Sequence, residues 1–191
     1  MSAPILMAYL FDPQQLQDVS QRAAGLPHQA MVRALITDLD RLYPGHIEHT
    51  ENWIMSLVGG ATGVMTVLHC SLTEYLLIFG TPVGTTGFSG RYRIDIFDFL
   101  LAGEMWTFTE ESCGERTVTR PGDTAVLRRG QVKGYRVSEG AWMLEYGRGP
   151  IVTCLPMGVI GAITSLDGRT LWKTLSVSTR LTYKALLRGK V

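Results

Sequence analysis

Apolar positions recur at two different spacings along the chain, and the change of spacing divides it into parts. After Asp12-Pro13, the residues Leu16, Val19 and Ala23 follow at three- and four-residue steps, the period of one face of an α-helix. Asp12 suits the N-cap, and Pro13 suits the first helical position, whose N–H has no helical partner in any case. Gly25 and Pro27 close this run. A second helical stripe covers 28–43, with Met31, Leu35, Leu39 and Leu42 in step, and Pro44-Gly45 stops it. From 106 to 147 short alternating or β-branched runs lie between Ser112-Cys113-Gly114, Pro121-Gly122-Asp123, Arg129-Gly130 and Ser138-Glu139-Gly140. Turn signals at such regular intervals predict an antiparallel meander, as in a sandwich, jelly roll or barrel. Upstream, 64–79 is apolar but interrupted by His69 and Glu74, which predicts a buried strand pair or a helix-to-strand passage.

The C-terminal part changes character again. Residues 150–163 carry no charge, yet they fall short of the roughly 20 residues a spanning helix needs. Pro150, Pro156, Gly158 and Gly161 point instead to a hydrophobic hairpin or an interfacial segment. In 171–187 Trp172, Leu175, Leu181 and Tyr183 alternate with basic residues, a pattern shared by a helix lying on a membrane and a core helix with a basic outer face. Arg169, Lys173, Arg180, Lys184, Arg188 and Lys190 face only Asp167 as an acid in this tail, which makes it a candidate for contact with anionic headgroups. The expected organisation is therefore one domain: a helical part over 1–63, a β part over 64–149 and a membrane-associated helical part over 150–191. Residues 1–10 are apolar but too short to span a bilayer, and they lack the basic start of a signal peptide.

Composition narrows the function. A net charge of +1 argues against a general nucleic-acid binder, which carries a basic excess. Cys70, Cys113 and Cys154 are odd in number and outside any CxxC pattern, so neither a disulfide framework nor a zinc site is expected. His28, His46, His49 and His69 lack the paired spacing of a metal-binding barrel, and the glycines at 84, 87 and 90 lack a P-loop lysine. No metal and no cofactor are expected.

Two acidic clusters remain as candidate chemistry. Glu145 stands in Ala141-Trp142-Met143-Leu144-Glu145-Tyr146-Gly147, a strand-like run with almost nothing else polar. Alternation would put it on one face with Met143 and Gly147, where apolar surroundings would raise its pKa. Asp95 and Asp98 stand in Arg91-Tyr92-Arg93-Ile94-Asp95-Ile96-Phe97-Asp98-Phe99. On a regular strand they point to opposite faces; on a helical turn they would share one. For each acid the plainer alternative is a solvent-exposed charge.

The run Leu68-His69-Cys70-Ser71-Leu72-Thr73-Glu74-Tyr75-Leu76-Leu77-Ile78-Phe79-Gly80-Thr81 resembles a signature shared by fungal sterol C-8 isomerases and sigma receptors of the first type. Ser89-Gly90-Arg91-Tyr92 and Trp142-Met143-Leu144-Glu145-Tyr146-Gly147-Arg148-Gly149 are similar to the receptor branch, and His49-Thr50-Glu51-Asn52-Trp53-Ile54-Met55 to the fungal branch. The resemblance runs from about Phe11 to the C-terminus. It implies a mainly β fold, a cupin-like barrel or jelly roll without metal, with N-terminal helices and two C-terminal helices resting on a membrane. It further implies a homotrimer, a location at the endoplasmic reticulum if the source is eukaryotic, and a sterol or hydrophobic amine as guest. By resemblance, Glu145 pairs with a ligand amine and Asp98 bonds to it, while Tyr75, Tyr92 and Phe79 lie near the pocket. The position of Asp95 is acidic in both branches and that of Asp98 is apolar in yeast-type isomerases, so the resemblance leaves both aspartates as catalytic partners of Glu145. The sequence departs from the family at Phe88, where a histidine is common, at Ala61, where receptors carry Trp, and in lacking a full-length anchor in 1–10. The implied activity is a sterol double-bond isomerase; the alternative is a non-enzymatic amine and sterol binder.

Overall fold

The computed structural model describes residues 9–112 and 114–190. The expectations for residues 1–8 and for Cys113 fall outside the described residues. Two helices open the fold, α1 (Pro13–Ala23) and α2 (His28–Leu42). Asp12 caps α1 as expected, its side chain accepting from the amides of Gln14 at 2.8 Å and Gln15 at 3.0 Å. The strands are β1 (Ile54–Val58), β2 (Ala61–Cys70), β3 (Glu74–Thr81), β4 (Thr85–Phe88) and β5 (Asp95–Ala102). They continue as β6 (Met105–Phe108), β7 (Thr117–Thr119), β8 (Thr124–Leu127), β9 (Gly134–Val137) and β10 (Ala141–Arg148). A 3-10 turn (Ile151–Thr153) leads to α3 (Leu155–Thr164) and α4 (Gly168–Leu187).

Among the described residues the strands form a six-stranded sheet, β1-β2-β3-β10-β5-β8, and a four-stranded sheet, β4-β9-β6-β7. Every pairing is antiparallel. From β4 onward the chain crosses repeatedly between the sheets, the winding of a jelly-roll barrel. This corrects the meander: of the neighbours in sequence after β5, only β6 and β7 pair. Turn residues mark where strands end, but they do not say which strand lies beside which. The β part also begins ten residues earlier than expected, because β1 at Ile54–Val58 and the start of β2 at Ala61 already pair across Gly59-Gly60.

The six-stranded sheet is covered on both faces. One face carries Leu76, Ile78, Phe97, Phe99, Leu144 and Tyr146 and packs against α1 and α2 in the main core. The other faces the barrel interior. Burial on both sides gives β5 its unbroken buried run, where alternation in exposure is lost. The apolar segment after β10 forms a turn and the ten-residue helix α3 in place of a hairpin. Pro156 falls at the second position of α3, where no N–H is needed. Gly161 lets α3 lie directly on β1, since a Cβ there would collide with the carbonyl of Leu57. Val177 and Leu181 of α4 then pack on Val67 and Cys70 of β2.

Glu74 ties three parts of the chain together. Fully buried at the start of β3, it accepts from the amides of Leu10 at 2.8 Å and Phe11 at 3.2 Å and from the Tyr146 hydroxyl at 2.6 Å. Lys190, beyond α4, pairs with the same carboxylate at 2.7 Å. Removing one partner of a buried charged cluster costs far more than a surface pair. Glu74→Ala is therefore expected to lower the unfolding free energy by about 3–5 kcal/mol in denaturant titrations; a loss below about 1 kcal/mol would show that the staple is dispensable.

Candidate active site

A cavity of about 220 Å³ occupies the barrel interior and extends to β1, α3 and α4. Its wall follows from strand alternation: Tyr75, Leu77 and Phe79 from β3, Met143 and Glu145 from β10, and Ile96 and Asp98 from β5 point the same way. Leu155 and Val159 of α3 and Leu175 of α4 complete the lining. As its alternation required, Glu145 shares the inner face with Met143 and Gly147. Gly147 has a further use, because a Cβ there would strike the ring of Tyr75, its cross-strand partner. The bare position lets that ring lie across β10, and the Tyr75 hydroxyl donates to Glu145 Oε1 at 2.7 Å.

Glu145 sits directly opposite Asp98 in the β10–β5 ladder. Opposed residues on adjacent antiparallel strands have Cβ atoms about 4.5–5.5 Å apart, and like charges there repel. Glu145 is half-buried, with its remaining surface open to the cavity. Burial first, and then the Asp98 charge, push its pKa up to about 7, against the opposing pull of the Tyr75 hydrogen bond and of Lys133. Burial and the nearby Glu145 also raise the phenols of Tyr75, Tyr92 and Tyr135, so these line the cavity as neutral hydroxyls. Cys154, also in the lining, is pushed up to about 11 by burial and stays a thiol.

Asp98 has a partner that the sequence reading missed. Lys133, just before β9, donates from Nζ to Asp98 Oδ2 at 2.5 Å, and both side chains are almost wholly buried. Its parity with Tyr135 and Val137 was the available signal, though a lysine at a strand entry ordinarily points to water.

Asp95 is not in this site. It lies on the opposite face of β5, where it accepts from the Arg129 amide at 3.1 Å and pairs with Arg129 at 3.3 Å and Arg148 at 3.6 Å. Burial alone would raise its pKa, but these bonds outweigh that and hold it below the usual range. The structure thus separates the two aspartates: Asp98 faces Glu145, and Asp95 does not. Of the other expected site residues, Tyr75, Tyr92 and Phe79 all line the cavity.

Fold and site together define a jelly-roll barrel that holds a carboxyl pair in an apolar, aromatic-walled cavity. The chain belongs to the family described as "ERG2 and Sigma1 receptor like protein", whose model matches residues 2–190. It is 42% identical over 187 residues to the C-8 sterol isomerase erg2 of Aspergillus fumigatus, covering 95% of this chain and 78% of that one. It is 37% identical over 187 residues to C-8 sterol isomerase ERG2 of Gibberella zeae, covering 96% and 79%. Against sigma non-opioid intracellular receptor 1 of Gallus gallus the identity is 37% over 175 residues, covering 90% and 78%. Among solved structures, an RmlC-like cupin from Shewanella frigidimarina matches 55% of this chain and 90% of its own at 17% identity, with a TM-score of 0.43.

The raised pKa of Glu145 has a consequence for stability. The folded chain holds this proton to higher pH than the unfolded chain does, so the carboxyl costs stability progressively as pH rises from about 4.5 to about 7 and by a constant amount above that. Glu145→Gln is expected to be more stable than the parent by about 1–3 kcal/mol at pH 8 and no more stable at pH 4. Paired thermal or denaturant unfolding at the two pH values checks this, and a difference independent of pH would contradict it.

Proposed function

We propose that the chain is a sterol isomerase that moves a ring double bond from carbon 8 to carbon 7. The observation that carries this reading is the placing of Glu145 in an apolar cavity directly opposite a second carboxyl, where burial and the Asp98 charge raise its pKa. The Glu145 O–H gives its proton to carbon 9, the alkene electron pair forms the new C–H bond, and positive charge appears at the tertiary carbon 8. The C7–H bond then breaks, its electrons form the C7=C8 bond, and Asp98 takes the proton. Return of that proton across the ladder to Glu145 closes a cycle with no net change in the protein. The faces of Tyr75, Tyr92 and Phe79 suit the cation, at about 0.5–2 kcal/mol each.

The second reading is a non-enzymatic binder of hydrophobic amines and sterols. It is favoured by the same carboxylates and aromatic walls, since an ammonium matches the carbocation in charge, and by the relatives named sigma receptors. Both readings put the protein at a membrane surface, and at the endoplasmic reticulum in a eukaryotic host. No helix among the described residues is long and apolar enough to cross a membrane. Support for surface contact comes from α4, whose exposed Trp172, Leu175, Tyr183 and Leu186 lie opposite its buried Val177, Leu181 and Ala185. The apolar side chains carry this reading better than the basic ones. Arg180 and Lys184 pair with Glu48, Lys173 donates to the Trp53 carbonyl, and Lys190 pairs with Glu74. A homotrimer belongs to the same proposal, with Phe88 and Phe108 exposed on the four-stranded sheet.

Two outcomes are expected. Trp172→Glu with Leu175→Glu should at least halve co-sedimentation with phospholipid vesicles, whereas undiminished binding would remove α4 as the contact. Purified protein with a Δ8 sterol should yield Δ7 product by gas chromatography, falling about tenfold per pH unit above pH 7 and at least about 100-fold in Glu145→Gln. Intact turnover in a folded Glu145→Gln variant would contradict the isomerase reading, and no product from the parent chain with Glu145-dependent amine binding would favour the binder.

A further inference from the structure

Among the described residues that line the cavity, Lys133 is the one lysine or arginine. It is held rather than adventitious. Its amide donates to Ser89 Oγ at 3.0 Å, its carbonyl accepts from the Ser89 amide at 3.0 Å, and its side chain is only 9% exposed. The ammonium lies against Asp98 at 2.5 Å, on the carboxyl that faces Glu145 across the ladder. Stability does not account for this arrangement. A buried ion pair is commonly no better than two apolar side chains of the same volume, because desolvating both charges offsets their attraction.

Charge balance does account for it. With Glu145 protonated, Lys133 and Asp98 cancel and the cavity is neutral, matched to an uncharged lipid. Once the proton moves, the carbocation and the new Glu145 carboxylate again cancel. A guest that arrives already charged meets a different situation: the cation position beside Asp98 is taken, and Glu145 must give up its proton before it can serve as counter-ion. We propose that Lys133 is a specificity-determining residue, a resident counter-ion that biases the cavity toward neutral guests which become cationic only during reaction, and against guests that enter as cations. This rests on the reading of the cavity as a site for sterols and hydrophobic amines at Glu145.

The test uses the full chain purified in detergent, with a lipophilic tertiary amine measured by calorimetry and the KM for a Δ8 sterol measured beside it. Loss of the lysine charge is compared in two backgrounds: Lys133→Met against the parent, and Asp98→Asn with Lys133→Met against Asp98→Asn. The second pair leaves no lone buried aspartate, so it decides the matter if Lys133→Met alone does not fold. In either pair, removing Lys133 is expected to tighten amine binding at least tenfold, while the sterol KM, read in the pair that keeps Asp98, stays within about threefold. A damaged cavity would weaken both ligands, so tightening of one is not a structural effect. Unchanged or weaker amine binding on loss of Lys133 would overturn the proposal while leaving the site intact. If the parent binds amine and sterol no better than Glu145→Gln does, the reading of the cavity fails and the proposal falls with it.

Discussion

Two carboxyl groups stand opposite each other on neighbouring strands inside an apolar barrel, and the arrangement around them follows from that constraint. Side by side and away from water, Glu145 and Asp98 cannot both carry an uncompensated charge. The fold answers asymmetrically. Asp98 receives a lysine ammonium, whereas Glu145 receives only the neutral hydroxyl of Tyr75. One carboxyl is thereby assigned a counter-ion and the other a proton. Separating two like groups by environment in this way divides the roles of acid and base between them.

That asymmetry needs a sheet whose two faces are kept apart. On β5 and β10, residues of one parity reach the cavity, and those of the other pack beneath α1 and α2 or reach Arg129 at the rim. Glu74, on the outer parity of β3, binds the segment before α1 and the end of the chain after α4 to the same strand that carries Tyr75. The helices that cover the sheet and the helix that lines the cavity are thus anchored beside the site, one residue away from the group that hydrogen-bonds Glu145. Close approach at glycine does the rest, with Gly147 admitting the Tyr75 ring and Gly161 seating α3 on β1.

Much of this was legible in the residues. The caps and stripes of α1 and α2 are local features and were read nearly to the residue, and alternation correctly put Glu145 with Met143 and Gly147. The pairing of β10 with β5 was not legible, because its partners lie forty or more residues apart and it leaves no local mark. The choice between Asp95 and Asp98 stayed open for a related reason. Their opposite faces were deducible from a strand, but with both faces buried the flanking pattern does not tell which one turns inward. Lys133 was passed over because its type speaks for solvent while its parity speaks for the interior, and only the neighbouring Asp98 resolves the conflict. The prolines and glycines of 150–163 argued against a spanning helix and for a hairpin or an interfacial segment, whereas Pro156 at the first turn and Gly161 at the contact with β1 are compatible with the short helix α3.

The claim on which the rest turns is that Glu145 holds a proton near neutral pH because of where the barrel puts it. Titration of the Glu145 side-chain carboxyl carbon by NMR, in protein labelled with ¹³C glutamate and assigned through Glu145→Gln, reads this without substrate. A midpoint near pH 7, moving further up in Lys133→Met, is the expected result. A midpoint near the ordinary glutamate value of about 4.3 would show that the cavity does not hold the proton, and would contradict the assignment of Glu145 as the acid.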